Sequence, residues 1–198
     1  MNMALDIASD VSDEALLVLY GNGDRAAAQA LTLRLTPLAL RVARRMLGDW
    51  AEAEDVAQEA MMRLWRIARE WRQGEAKVTT WLYRVVTNLA TDRLRKRKGK
   101  RSGIGLDEAS EVADETPGVE TQMMDQDRAE ALQQALDQLP ERQRQAVILR
   151  HIEGLSNPEI ALVLDIGVEA VESLTARGKR ALAAALAGRR EELGYDAE

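Results

Sequence analysis

The chain has 198 residues, with 27 Lys plus Arg against 33 Asp plus Glu, a net charge of −6 and a 46% hydrophobic fraction. That length suits one domain or two small ones. The apolar content is enough for a packed core, and the mild acidity argues against a uniformly basic nucleic-acid coat. Cysteine is absent and His151 is the single histidine, which excludes a disulfide framework, a thiolate nucleophile, a Cys-zinc site and a His-built metal centre. The chain holds no 18-residue apolar run, and the opening MNMALDIASD has no basic stretch, so a cytoplasmic protein without membrane insertion is expected.

Neither half shows sustained period-2 alternation, and an all-α fold of two small helical domains is expected. Ser12 and Asp13 can cap a first helix through about Tyr20, with a turn at Gly21–Gly23. A second helix spans Asp24–Leu47, Pro37 is the position in it where a bend is expected, and Gly48–Asp49 ends it. The third runs roughly Ala51–Trp71. Its apolar set of Val56, Ala60, Met61, Leu64, Ile67, Ala68 and Trp71 lies opposite a stripe of Asp55, Gln58, Glu59, Met62 and Arg66. A charged stripe is most often a solvated face, but Met62 within it suits a protein contact.

A fourth helix starts at Thr79 or Thr80 and continues to about Lys98. Leu82, Val85, Val86, Leu89 and Ala90 form its core side, with Arg84, Asn88, Thr91 and Arg95 on the other and Trp81 at its flank. From Trp81 to Arg101 eight basic residues face one acidic residue, a charge of +7. Donors along one helix with an aromatic beside them suit phosphate contacts and base stacking on an unpaired strand. The alternative is a buried Trp and a solubilising tail. Seven charges between Arg93 and Arg101 repel one another unless something anionic offsets them.

Residues 102–127 carry eight acidic and no basic side chains, with Gly, Ser and Pro and no clear period, and read as a linker between lobes at 12–101 and 128–194. The second lobe predicts helices at 128–138, 141–152, 156–164 and 168–187. Ser156 and Glu159 stand at capping-box spacing. The last two helices and their turn at Asp165–Gly167 form a helix-turn-helix pattern. Val168, Val171, Leu174, Leu182 and Ala185 lie on the core side, and Glu169, Glu172, Ser173, Ala176, Arg177 and Arg180 point outward. Seven basic against eight acidic residues over 128–187 make tight DNA binding by this lobe alone unexpected.

Two motif sets in this order resemble a known family. Asp55-Val-Ala-Gln-Glu59, Arg63-Leu-Trp-Arg66, Thr80-Trp-Leu-Tyr-Arg84, Asn88-Leu89-Ala90 and Asp92-Arg93-Leu94 resemble region 2 of extracytoplasmic-function (ECF) sigma factors. Leu139-Pro140-Glu-Arg-Gln-Arg144, Glu153-Gly-Leu-Ser156, Glu159-Ile160-Ala161 and Val171-Glu-Ser173 resemble their region 4. The resemblance implies that Asp55, Gln58, Glu59 and Met62 dock on the clamp helices of the largest subunit of core RNA polymerase. It further implies that Arg72, Lys77, Thr80, Trp81, Arg84 and Asn88 capture the unpaired −10 strand of promoter DNA. Upstream phosphates then fall to Arg93, Arg95, Lys96, Arg97 and Lys98. Region 4 would pack on the polymerase flap and read the −35 element through Glu172, Ser173, Ala176, Arg177 and Arg180. A stress-response regulon and an anti-sigma factor partner are also implied.

The chain departs from the family pattern at Glu172, Gly167 and Ala176, and its region 2 loop lacks a Phe. No nucleophile–base pair, metal cluster or Gly-rich phosphate loop appears, so neither catalysis nor a cofactor is expected. The other reading of the same residues is a sigma-like decoy that occupies an anti-sigma factor without touching promoter DNA.

Overall fold

The computed structural model describes residues 11–72, 74, 76–101 and 120–187, and all the regular structure among them is helical. In the first lobe α1 is Asp13–Gly21, α2 Arg25–Leu47, α3 Trp50–Ile67 and α4 Val78–Arg101. Side-chain caps set the starts. Ser12 Oγ accepts the Ala15 N–H at 3.2 Å, Asp24 accepts those of Ala26 and Ala27 at 2.8 and 3.3 Å, and Asp49 accepts that of Glu52 at 2.9 Å. The start of α4 is capped from another helix: Glu14 of α1 accepts the Val78 N–H at 2.9 Å. Burial raises the Glu14 pKa, but this bond, with others from its own backbone and Ser12, holds it below the ordinary carboxylate value.

The second lobe holds α5 (Glu120–Asp137), α6 (Glu141–Val147), α7 (Asn157–Leu164) and α8 (Val168–Ala187). The predicted 128–138 helix thus begins at Glu120, inside the segment read as linker. The rest of that linker, 102–119, lies outside the described residues, as do 188–194 of the second lobe. The predicted 141–152 helix also changes character: α6 runs into a π-helical turn, Ile148–Ile152, where the Glu153 N–H reaches back to the Ile148 carbonyl at 3.0 Å. The capping box forms as spaced, with Glu159 N–H on Ser156 Oγ at 3.4 Å and Ser156 N–H on Glu159 Oε2 at 3.0 Å.

The two lobes share one contiguous apolar core, from Leu17, Leu31, Val42 and Leu82 through Leu136, Ile148 and Ile160 to Val171. α4 is therefore buried on two sides. Leu82, Val86 and Ala90 face the first lobe, and Tyr83, Thr87 and Thr91 are also buried. The end of α2 shows the joining most plainly. Its carbonyls at Arg45, Met46 and Leu47 have no partner within the helix and are taken by Gln133 of α5 (3.2 Å), Arg144 of α6 (2.9 Å) and Arg97 of α4 (3.3 Å). Two of those donors are cationic, the sign a helix C-terminus favours. Gly48 closes the helix in the left-handed region (φ 69°) that favours glycine, and Asp137 of the second lobe comes close enough that a Cβ there would stand 2.9 Å from its Oδ2.

Two expected faces differ. Val168 was expected in the core of α8 but is exposed, while Gly178 on the same helix is buried. A Cβ at Gly178 would lie 2.5 Å from Val147 Cγ2 and 3.2 Å from the Gln143 carbonyl, so α6 and α8 approach more closely here than any larger residue allows. Helix propensity alone favours Ala over Gly by about 1 kcal/mol, and overpacking costs about 1–3 kcal/mol. Gly178→Ala is therefore expected to lower the melting temperature followed by circular dichroism. Adding Val147→Ala should recover part of that loss; a Gly178→Ala protein more stable than the parent would show that the helices are free to separate here.

Candidate functional site

The α3 stripe emerges as the sequence suggests. Asp55, Gln58, Met62 and Arg66 are exposed and Glu59 is half-buried. Met62 keeps 40% of its surface open, an apolar side chain within a charged stripe. Arg63 Nε donates to Glu59 Oε1 at 2.8 Å, and that bond holds the Glu59 carboxyl below its ordinary value. At the edge of the stripe Asp55 accepts from Arg93 Nη1 at 3.0 Å, which ties α3 to the basic end of α4.

That basic end is offset from within the chain. Besides Arg93 on Asp55, Arg97 reaches Glu52 at 3.4 Å and the Leu47 carbonyl, and Arg95 lies 3.6 Å from Glu141 of the second lobe. Lys96 and Lys98 are exposed. The crowding of charge read from the sequence is met first by three carboxylates of the same protein.

The residues expected to take an unpaired strand gather at the start of α4. Trp81 is half-buried rather than exposed, because Trp71 packs edge-on against it with ring centroids 6.5 Å apart and planes at 88°. Ile67, Trp71, Arg72, Ala76 and Trp81 line a cavity of about 310 Å³. A second cavity of about 340 Å³ lies between Lys77, Thr80, Trp81 and Arg84 of the first lobe and Glu159 and Leu162 of α7. Across it Lys77 Nζ meets Glu159 Oε1 at 3.1 Å, and the Arg84 guanidinium donates through Nε (3.1 Å) and Nη2 to the Leu162 carbonyl. Asn88 is exposed. Thr91, expected beside it on the outer face, is instead buried and accepts from Gln145 Nε2 at 2.7 Å, because the second lobe covers this side of α4.

On α8 the side chains of Glu172, Ser173, Ala176, Arg177 and Arg180 all stand exposed. Glu172 accepts from Asn157 Nδ2 of α7 at 3.4 Å, a partner outside its own helix, and Arg177 Nε bonds the Ser173 carbonyl at 3.2 Å.

Sequence reasoning missed the group that joins the lobes. The side chain of Glu153, next after the π turn, is 1% exposed. It takes both forks of Arg41 from α2, Nε at 2.9 Å and Nη2 at 2.7 Å, and the Tyr83 hydroxyl from α4 at 3.0 Å. Burial, followed by the charge of Glu153, pushes the Tyr83 phenol up, and the bond to Glu153 does the same for Arg41. The available signal was the four-residue spacing of Tyr83, Thr87 and Thr91, a second stripe on a helix already assigned a core side.

Comparison with known proteins finds relatives of both lobes. Residues 31–100 match the Sigma-70 region 2 family and residues 129–182 match Sigma-70, region 4. The ECF RNA polymerase sigma factor SigM of Mycobacterium tuberculosis is 36% identical over 172 residues, covering 87% of this chain and 83% of that protein. SigW of Bacillus subtilis, also an ECF RNA polymerase sigma factor, is 35% identical over 145 residues, 70% of this chain and 77% of its own. Among solved structures, CnrH in complex with the cytosolic domain of CnrY superposes with a TM-score of 0.65 at 25% identity, over 89% of this chain and 97% of that one. The sigma factor RpoE of Bartonella quintana, in complex with the anti-sigma factor NepR, shares the fold with a TM-score of 0.63 at 20% identity, over 80% and 95% of the two chains.

Glu159 links the α7 cap to Lys77, and its pKa reflects that position. The Ser156 backbone N–H, the Ser156 hydroxyl and Lys77 bring it down to about 2 from an ordinary 4.5. A carboxyl lowered by folding stabilises the native state above its unfolded pKa and loses that contribution as pH falls through the folded one. Between about pH 4.5 and 2 the native chain should lose stability, and Glu159→Gln should flatten that part of the profile. Urea-unfolding midpoints across this range check it; parallel profiles would mean the lowered pKa has no bearing on folding.

Proposed function

We propose, on the premise that this chain belongs to the ECF group of the sigma-70 family, that it binds core RNA polymerase and directs it to promoters. The observation that carries the proposal is the division of surfaces within one chain. An exposed polar stripe with Met62 at its centre lies on α3, the Trp71–Trp81 pair with Lys77 and Arg84 lies at the start of α4, and a second lobe presents the outer face of α8.

In this reading Asp55, Gln58, Glu59 and Met62 seat on the polymerase clamp helices. Trp81 and Trp71 offer flat apolar faces to unstacked bases, while Arg72, Lys77, Thr80, Arg84 and Asn88 hold the −10 strand. Lys96 and Lys98 add charge toward upstream phosphates, joined by Arg93, Arg95 and Arg97 when DNA competes with their carboxylates. Ser173, Ala176, Arg177 and Arg180 face the −35 major groove, and Glu172 can accept from a cytosine amino group there. A stress-response regulon and control by an anti-sigma factor belong to the same proposal.

The paired state of Lys77, Arg84, Arg93, Arg95 and Arg97 favours one other reading, a decoy that binds an anti-sigma factor and leaves DNA alone. Run-off transcription from genomic fragments, with core polymerase and with or without this protein, separates the two: promoter-dependent transcripts are expected, and their absence alongside tight anti-sigma binding would favour the decoy. Asp55→Lys with Glu59→Lys should abolish co-purification with core. Surface ion pairs of this kind are worth about 0–1 kcal/mol, so the folded helix content should survive. Undiminished core affinity would remove α3 as the docking surface.

A further inference from the structure

Toward the end of α2 lies a cavity of about 560 Å³ whose residues belong to none of the faces proposed for polymerase or promoter DNA. Arg41, Arg44 and Arg45 reach it from one face of α2, at the three- and four-residue spacing of a helix, and Trp50 of α3 and Gln133 of α5 also line it. Space between neighbouring helices is ordinarily filled by interdigitating apolar side chains. Here it holds three guanidinium groups.

The three cations are not equivalent. Arg41 is committed to Glu153 through both forks. Arg44 lies over the Trp50 ring, 4.8 Å from its centroid, and Glu54 accepts the Trp50 indole N–H at 2.9 Å, so ring and guanidinium are held together. Arg45 is half-buried, and among the described residues no carboxylate pairs with it. Burial, followed by the charge of Arg44, brings its pKa down. Gln133 engages the Arg45 backbone carbonyl and not its side chain.

Setting Glu153 against Arg41 leaves Arg44 and Arg45 against Glu130, an exposed carboxylate of the lining, and the cavity stays net positive. The dipole of α2 does not call for this pair, because its last carbonyls already receive Arg97 and Arg144. An anion is the missing partner, and a phosphate group matches guanidinium donors by charge and by paired hydrogen bonds. The rest of the space suits something larger and less polar. Pro37 and Leu40 are apolar, Trp50 keeps 49% of its surface open, and the volume falls within the range of about 300–1,000 Å³ usual for small-molecule sites.

We infer that this cavity binds a nucleoside triphosphate, with its phosphates on Arg44 and Arg45 and its base against the apolar wall of Pro37, Leu40 and Trp50. Isothermal titration of the full chain with ATP, tripolyphosphate and adenosine, at one fixed ionic strength, tests it. ATP is expected to bind about tenfold more tightly than either fragment, since it alone fills both parts of the cavity. Arg45→Gln should weaken ATP by about tenfold, the loss that goes with a charge-assisted hydrogen bond. Trp50→Ala should bring ATP down to the affinity of tripolyphosphate. Arg25→Gln removes an exposed cation about 30 Å away along the same helix and should leave ATP binding unchanged.

Thermal melts followed by circular dichroism report whether each variant folds. If Arg45→Gln does not, Arg44→Gln carries the same test from an exposed position. No heat from ATP at millimolar concentration overturns the site, as does an ATP affinity that neither arginine variant moves. Tripolyphosphate binding as tightly as ATP would leave a bare anion site and overturn the nucleoside assignment. Equal weakening by Arg25→Gln and Arg45→Gln would reduce the effect to the overall charge of the chain and overturn the cavity as its source.

Discussion

A carboxylate removed from water must be paired, and the placement of the second lobe follows from how Glu153 meets that requirement. Arg41 and Tyr83 come from different helices, so the three groups converge only when α2, α4 and the π turn stand in one arrangement. The Arg41 guanidinium is half exposed, so withdrawing it costs less than the about 3–5 kcal/mol typical of a fully buried pair, and an intact buried pair is often no better than apolar residues of the same volume. The ion pair therefore specifies the register of the lobes more than it strengthens their union. The extra residue accommodated by the π turn brings the carboxylate to the seam at the end of α6.

Around that point the remaining polar contacts repeat one theme: helix ends of one lobe are completed by side chains of the other. The last carbonyls of α2 receive Gln133 and Arg144 from the second lobe, and a late carbonyl of α7 receives Arg84 from the first. A backbone end left bare in a joint is as costly as any buried polar group, so these contacts close the surface without making it hydrophobic. They differ in kind from the apolar layer beneath, where Leu136, Ile148 and Val171 extend the first lobe's core.

Most of the helices were legible because their signals are local. Ser12 and Ser156 each cap a helix at a position visible from composition and spacing, the Ser156–Glu159 box forms as read, and Asp24 and Asp49, read as a helix start and a helix end, also act as caps. The outward sides of α3 and α8 were legible for the same reason, since one period of 3.6 fits one buried face. What escaped was everything contributed by a second neighbour. Thr91 belongs to a polar stripe by spacing, yet a glutamine 54 positions later covers it. Val168 looks like core but has no layer above it, while Gly178, which no hydrophobic pattern selects, sits where two helices nearly touch. Glu153 could not be found by periodicity because it lies in a turn and its partners are 70 and 112 residues away.

The seam between the lobes also has a property that follows from connectivity alone. Both of its surfaces belong to one polypeptide, so its closure is unimolecular and does not weaken on dilution. A tethered surface acts at an effective concentration fixed by chain geometry, on the order of millimolar for short connections. Any molecule that would bind the covered side of α4, where Tyr83, Thr87 and Thr91 are buried, competes against a rival that is always present at the same strength. Changing the abundance of this protein alters how many molecules are available but not how firmly the seam of each is closed.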